Sequence, residues 1–500
     1  MSYISYNFIA LVAAGLILYA LLPEAAGKYV LALMSVIYLI TAGGVTSLIF
    51  LLIGSAVSFG AALYISSSEK AHMRTAVLIA VIFFHLGLLF WFKYNNFIGY
   101  TQLAFSELTG GSFEFEQVER QAPLGISFYT LMLIAYVADV YLKKYSAERS
   151  FLKFSLFTGY FGHIVQGPID SYDTQGESIS TYHRLTREDL TEGSLMILYG
   201  LFKKLVISER LAAIVNTVFS DYASFSWGFL LLASIAFSLQ LYTDFSGCID
   251  LVTGVSRLFG IRLSQNFRRP FFSESIAEFW RRWHITLGAF FRKYIYIPLG
   301  GNRRGKVRKY LNTIAVFAAS GLWHGGKWTF VIGTGLLHCF YMITGELLKP
   351  IFECFYRLTG IRKDSGLMKT LRIIRTFLLV TIGFVLFRSD SLTMAGGILK
   401  GIFTLSPGAA GEAASLAYGF FDVIGLGSAD SFILVISLII MAAVSVAEEL
   451  WEKGADSGAL MTKLSPARRE SLIFIMLLGV MIFGFYGRGY DASAFIYSNF

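Results

Sequence analysis

The stretch YVLALMSVIYLITAGGVTSLIFLLIGSAVSFGAALYIS, Tyr29–Ser66, contains no Asp, Glu, Lys or Arg. A helix crossing the hydrocarbon core of a bilayer needs about 20 mostly apolar residues. This run is too long for one crossing, and the adjacent Gly43 and Gly44 predict a break into two. Runs of the same character lie near 8–23, 75–99, 121–142, 150–169, 192–222, 226–256, 311–345, 367–388, 431–447 and 471–487. The run at 311–345 divides near Gly325–Gly326. The pattern predicts an all-α polytopic membrane protein of about a dozen transmembrane helices, forming one domain over 1–500.

Composition agrees. Hydrophobic residues make up 55% of the 500, and charged residues only 15%, against about 25% in soluble domains. Water as the sole solvent is excluded, as are disorder, a coiled coil and a nucleic-acid-binding body. Cys248, Cys339 and Cys354 are too few for a disulfide framework. Met1–Asn7 carries no basic side chain and leads into span after span, so the first run is expected to be a retained helix.

The formal net charge of +9 is explained by sidedness, because Lys and Arg of short loops stay cytoplasmic. Loops 67–74 (Lys70, Arg74) and 143–153 (Lys143, Lys144, Arg149, Lys153) are basic, as is 349–376. Segment 103–119 carries Glu107, Glu114, Glu116 and Glu119, and 403–430 carries Glu412, Asp422 and Asp430, both without Lys or Arg. The alternation places the N-terminus outside.

Residues 262–309 do not read as a simple span. Arg262, Arg268, Arg269, Arg281, Arg282, Arg292, Lys293, Arg303, Arg304, Lys306, Arg308 and Lys309 are opposed only by Glu274 and Glu278. Aromatic residues from Phe267 to Tyr296, including Trp280 and Trp283, are interleaved with them. Such a segment lies in the headgroup plane or re-enters a protein-lined cavity. It can anchor to anionic lipid, or form a mouth whose cations hold the phosphates of a polyanionic ligand. The turn Pro298–Gly305, containing Asn302, matches no phosphate-loop spacing.

His85 and His163 read as packed, hydrogen-bonded residues, and His338 as packing. His324 differs. It stands in Ser320-Gly-Leu-Trp-His-Gly-Gly-Lys-Trp328, between glycines, with Trp323 and Trp328 able to wall a pocket. Ionisable groups at membrane depth are costly and mark function, and a desolvated imidazole stays neutral, the form that accepts a proton. His284 lies on the basic segment, in Phe279-Trp-Arg-Arg-Trp-His284. Asp139 and Asp244 are carboxylates within apolar runs, able to orient a histidine or to neutralise a neighbouring cation. The sequence holds no H-E-x-x-H, no metal-ligand cysteine spacing and no Gly-x-Ser-x-Gly.

The blocks Phe279–His284, Tyr296-Ile-Pro-Leu-Gly-Gly-Asn-Arg303 and Gly321-Leu-Trp-His-Gly325 occur in order. So do Pro123–Tyr129, Gln166-Gly-Pro-Ile169, Gly200–Val206 and Tyr242–Gly247. Together they resemble the membrane-bound O-acyltransferase family, in its bacterial alginate O-acetyltransferase-like branch, from the first span to Tyr497. The resemblance implies tilted helices around a thin centre with a funnel or tunnel, and a catalytic core over 262–345. It implies that His324 matches the catalytic histidine and His284 the second important polar position. Trp280, Arg281, Arg282, Trp283, Trp323, Asn302 and Asp244 are then the expected substrate-binding residues. Lys327 departs from the family pattern and would tune the pocket or face the cytoplasm.

The donor implied is a cytoplasmic thioester, acetyl-CoA, acting as a substrate with no bound cofactor. The acceptor implied is an extracytoplasmic polysaccharide, served directly or through a periplasmic or extracellular transferase- or esterase-like partner. The location implied is a bacterial inner or plasma membrane. Two alternatives stay open: D-alanyl transfer to teichoic acid from a carrier-protein thioester, and a polysaccharide or lipid transporter without acyl chemistry.

Overall fold

A computed structural model describes residues 1–118, 120–405, 426–452 and 465–486. Those residues form helices and connecting turns, with one isolated β-bridge between Phe267 and Trp283. Helices are what the solvent dictates, because hydrocarbon offers no partner to a backbone N–H or C=O. Among the described residues six helices are long and apolar enough to cross a membrane: Glu24–Ser67, Ala71–Lys93, Trp227–Leu258, Trp328–Leu347, Gly366–Arg388 and Ser428–Glu449. Shorter apolar helices are Tyr6–Leu21, Ile126–Tyr141 and Leu392–Phe403. The chain is a multi-pass membrane protein.

The expected break at Gly43–Gly44 is present. Gly44 takes φ 73°, ψ 169°, a conformation open to glycine, and kinks the helix there. The second break is present too: one helix ends at His324 and the next begins at Trp328.

Other expectations are corrected. The run at 150–169 is not a span: its helix is the nine residues Phe151–Gly159, followed by turns through His163 to Gly167. Apolarity there reflects burial in protein, with Phe154, Phe157, Tyr160 and Phe161 all enclosed. The acidic segment 103–119 is partly helical, as Phe97–Thr109, and the basic segment 349–376 holds the helix Lys349–Thr359. Glu119, Glu412 and Asp422, and the closing stretch to Tyr497, lie outside the described residues.

The centre of the molecule is Trp227–Leu258, two-thirds buried. It packs along Arg187–Leu201 with almost no side chain between the backbones. A Cβ on Gly200 would lie 2.5 Å from the carbonyl oxygen of Gly247, and one on Gly193 2.7 Å from that of Gly254. Glycine at these matched positions lets two helices touch where no hydrophobic effect drives them together. Around the outside, Phe83, Phe90, Trp91, Ile439 and Ile475 are exposed; lipid stands where water would stand in a soluble protein.

One buried carboxylate ties the basic segment to this frame. Asp139, fully enclosed on Ile126–Tyr141, bonds Lys144 at 2.7 Å, Lys293 at 2.8 Å and the Tyr294 hydroxyl at 2.8 Å. It takes the neutralising role of the two foreseen for it. Removing one partner of such a cluster strands the others. Asp139→Ala should therefore cost roughly 3 kcal/mol of stability, read as a lower thermal midpoint of the solubilised protein, while Lys144→Ala should cost clearly less.

Candidate active site

His324 is the last residue of helix Lys306–His324 and is buried. The helix stops there because Gly325 is extended. The last carbonyls are then bonded from outside the regular helix: the Leu322 oxygen accepts from Gly325 N–H at 3.0 Å and from the Tyr94 hydroxyl at 2.7 Å, and the Trp323 oxygen from the Lys93 ammonium at 2.8 Å. Lys93 also donates to Ser127 Oγ at 3.2 Å and lies 5.4 Å from the Trp323 ring centre. Trp323 Nε1 donates to the Ser127 carbonyl at 3.1 Å. The returning helix packs against the same end, since a Cβ on Gly321 would lie 2.7 Å from Val331 Cα.

His284 reaches this place from the basic segment. Residues 266–268 run antiparallel to 282–285, with Arg268 N–H bonding the Arg282 oxygen at 2.9 Å and Ile285 N–H the Asn266 oxygen at 3.0 Å. This pairing holds His284 in the left-handed region, φ 47°, ψ 55°, where the chain turns into helix Ile285–Phe291. Its Nδ1 lies 3.2 Å from Asn266 Oδ1. That oxygen also accepts from Thr286 N–H at 3.2 Å and Thr286 Oγ1 at 3.0 Å. An atom accepting from a backbone N–H is an acceptor, so His284 Nδ1 must donate. The lone pair then sits on Nε2, which is buried and has no hydrogen-bond partner among the described residues. Burial pushes the His284 pKa down to about 3, so the ring is neutral at pH 7.

The two histidines converge on Trp323, whose ring centre is 6.0 Å from that of His284 and 5.1 Å from that of His324. Phe387 meets His324 edge-on at 5.5 Å, and Phe245 meets His284 at 5.0 Å. The two imidazoles are thus packed by Trp323 and phenylalanines. Trp328 stands further out, with Nε1 donating to Thr101 Oγ1 at 3.1 Å. Thr286 Oγ1 also accepts from Ile169 N–H at 2.9 Å, which brings the Gln166–Ile169 block to the site.

The remaining expected residues separate. Trp280 is half-buried and its Nε1 donates to His338 Nδ1 at 3.0 Å, giving His338 a definite packing role. Trp283 is buried among Phe267, Phe279 and Phe384. Arg282 is bound by Glu278 at 2.7 Å and Glu449 at 3.1 Å, so its charge is already compensated. Arg281 and Asn302 are exposed on the basic surface, away from the two histidines' ring contacts. Asp244 pairs with Lys204 at 2.5 Å, and Lys204 pairs with Glu209 at 2.7 Å, so Asp244 neutralises a neighbouring cation. Lys327 pairs with Asp390 at 3.2 Å. His85 and His163 are hydrogen-bonded inside the bundle, to Ser58 Oγ and the Phe157 oxygen, both at 2.7 Å.

Asn266 and Lys93 were not foreseen. Asn266 acts on a residue 18 positions away, and nothing local marks it. Lys93 carried a signal, an ammonium at the end of an apolar span among aromatic residues, which the rule for intramembrane charges would have caught.

The chain resembles known proteins over much of its length. Residues 141–379 match the membrane-bound O-acyltransferase family. The chain is 34% identical over 327 residues to the "Probable alginate O-acetylase AlgI" of Pseudomonas syringae pv. tomato, covering 65% of this chain and 60% of that protein. It is 33% identical to the peptidoglycan O-acetyltransferase of Helicobacter pylori, covering 71% of this chain and 70% of that one. It is 27% identical to the teichoic acid D-alanyltransferase of Streptococcus thermophilus, over 53% of this chain and 68% of that protein. The chain spans about 60% of the length of the alginate-type relatives it matches. With both histidine blocks inside the matched residues and a relative matched over 70% of its length, the chain belongs to the membrane-bound O-acyltransferase family.

Proposed function

We propose that this protein is an O-acyltransferase of a bacterial inner or plasma membrane, moving an acetyl group from acetyl-CoA on the cytoplasmic side toward a hydroxyl of an extracytoplasmic polysaccharide. The acetyl group passes directly or through an extracytoplasmic partner protein. The observation that carries this reading is the meeting of two buried histidines, brought from separate segments, against one tryptophan in a chain of this family. The alginate- and peptidoglycan-acetylating relatives support an acetyl group and a glycan acceptor.

Acyl transfer needs a base for the hydroxyl proton and a field that favours the oxyanion. His324 takes the proton as the hydroxyl oxygen attacks the thioester carbonyl carbon. The tetrahedral intermediate then collapses, the C–S bond breaks and CoA leaves as thiolate, to be protonated by the imidazolium. No covalent enzyme intermediate is needed. Lys93, which bonds the carbonyl of Trp323 next to His324, offers an N–H donor to the oxyanion. His284 is a second site for the reacting proton or a ligand to the acceptor, with Asn266 fixing Nε2 as its open acceptor atom. The aromatic wall excludes water that would otherwise hydrolyse the thioester. On the basic surface Arg281, Arg292, Arg303 and Arg304 are exposed and available to the phosphates of CoA.

Transfer of D-alanine from a carrier-protein thioester is the second reading, favoured by the likeness to the teichoic acid enzyme. Radiolabelled acetyl-CoA and D-alanyl carrier protein, supplied separately to the protein in nanodiscs, distinguish the donors; movement of an acceptor across the bilayer without acyl loss would mean a transporter.

Three outcomes are expected. His324→Ala abolishes acyl transfer while the protein still inserts and purifies as a stable particle, and retained transfer would sink the base assignment. Asn266→Leu frees the His284 tautomer and lowers kcat by about 10- to 100-fold, with little change in the donor KM. Arg281→Gln raises the donor KM more than it lowers kcat at saturation, measured by initial rates against acetyl-CoA.

A further inference from the structure

A cavity of about 440 Å³ lies on the far side of Phe387 from His324. Phe330 and Phe387 line it, and the same Phe387 ring packs edge-on against His324 at 5.5 Å and against Phe330 at 4.8 Å. One layer of aromatic rings therefore separates this space from the imidazole.

The lining is polar and its charge is uneven. At one end are Lys204 and Glu209, which form an ion pair at 2.7 Å, with Gln240 beside them. Gln240 is more than nine-tenths buried, and its Oε1 has no hydrogen-bond partner among the described residues. A buried amide oxygen left unbonded costs free energy comparable to a lost hydrogen bond, so it points to a donor that arrives with a ligand. At the other end are Lys327 and Arg388 against the single carboxylate of Asp390. Lys327 pairs with Asp390 at 3.2 Å, while Arg388 donates one N–H to Asn216 Oδ1 at 3.1 Å and lies 5.8 Å from the Phe219 ring centre. The planar fork of Arg388 is thus oriented by an amide and an aromatic face, with further N–H groups to offer.

We infer that this cavity binds the acceptor, and that the acceptor is a polyhydroxylated unit bearing an oxyanion, carboxylate or phosphodiester, held by Arg388 with Lys327. This rests on the reading of the protein as an O-acyltransferase. Glu209 and Gln240 accept from hydroxyls at the inner end, and the Lys204 ammonium donates to them. The guanidinium fork suits a planar or tetrahedral oxyanion at the outer end. Turning of Phe387 lets the hydroxyl nearest the partition meet His324.

Binding is measured first without donor, so that this inference is judged apart from catalysis. The protein in nanodiscs is titrated with a short oligouronate, a glycerol-phosphodiester oligomer and a neutral glucan of similar length. One anionic oligomer is expected to bind at least about tenfold more tightly than the glucan, and which one it is names the oxyanion. Arg388→Gln should weaken that oligomer by roughly tenfold, the worth of one charge-assisted hydrogen bond, and leave the glucan unchanged. Arg388→Lys should recover part of the loss. Gln240→Leu, which keeps the volume and removes the amide, should weaken every oligomer that binds. Equal binding of charged and neutral oligomers by the wild type, or an equal effect of Arg388→Gln on both, overturns the proposal. Absence of acyl transfer from acetyl-CoA or D-alanyl carrier protein to an oligomer that binds as expected would refute direct transfer to that acceptor and leave the cavity's selectivity established.

Discussion

Two carbonyls decide how this site can exist. A helix that ends away from water leaves its last carbonyls without intrahelical partners, and the helix bearing His324 ends at a buried residue. The Lys93 ammonium and the Tyr94 hydroxyl bond the carbonyls of Trp323 and Leu322. They let the chain end its helix one residue before two glycines, turn and return as Trp328–Leu347. The imidazole therefore sits at a terminus that a different span secures. Because the same ammonium also lies over the Trp323 ring, the wall between the two histidines is fixed by the bond that closes the helix.

The other histidine is held by a different device with the same logic. No long helix carries His284; a short antiparallel pairing between 266–268 and 282–285 does. It stabilises a left-handed residue that would otherwise be strained. Asn266 serves both purposes: its main chain closes the pairing, and its side chain orients the ring. Farther out, Asp139 anchors the basic segment through Lys293 and Tyr294, so a surface rich in positive charge has an acidic root inside the bundle.

Much of this was legible in the sequence. The break at Gly43–Gly44, the break after His324 and the unusual character of 262–309 followed from run length, glycine and charge alone. His324 stood out because a histidine between glycines has no business in an apolar span unless it acts. What misled was apolarity without its cause: 150–169 reads as lipid-facing, yet Phe154, Phe157 and Phe161 are enclosed by protein. What stayed hidden was pairing at a distance. Sequence shows that Arg282 and Asp244 are charged; only the fold shows that Glu278 and Glu449 have already engaged the first, and Lys204 the second. Asn266 was invisible because its meaning lies wholly in residues that the turn at 269–275 brings back to it.

The three cysteines are unequal. Cys248 and Cys339 are enclosed, whereas Cys354 is exposed on the helix Lys349–Thr359. The molecule therefore carries its own address label: a maleimide too polar to enter the bilayer has a single accessible thiol to modify. Whether it reacts in sealed, right-side-out vesicles reports directly which compartment that helix faces, without any engineered tag.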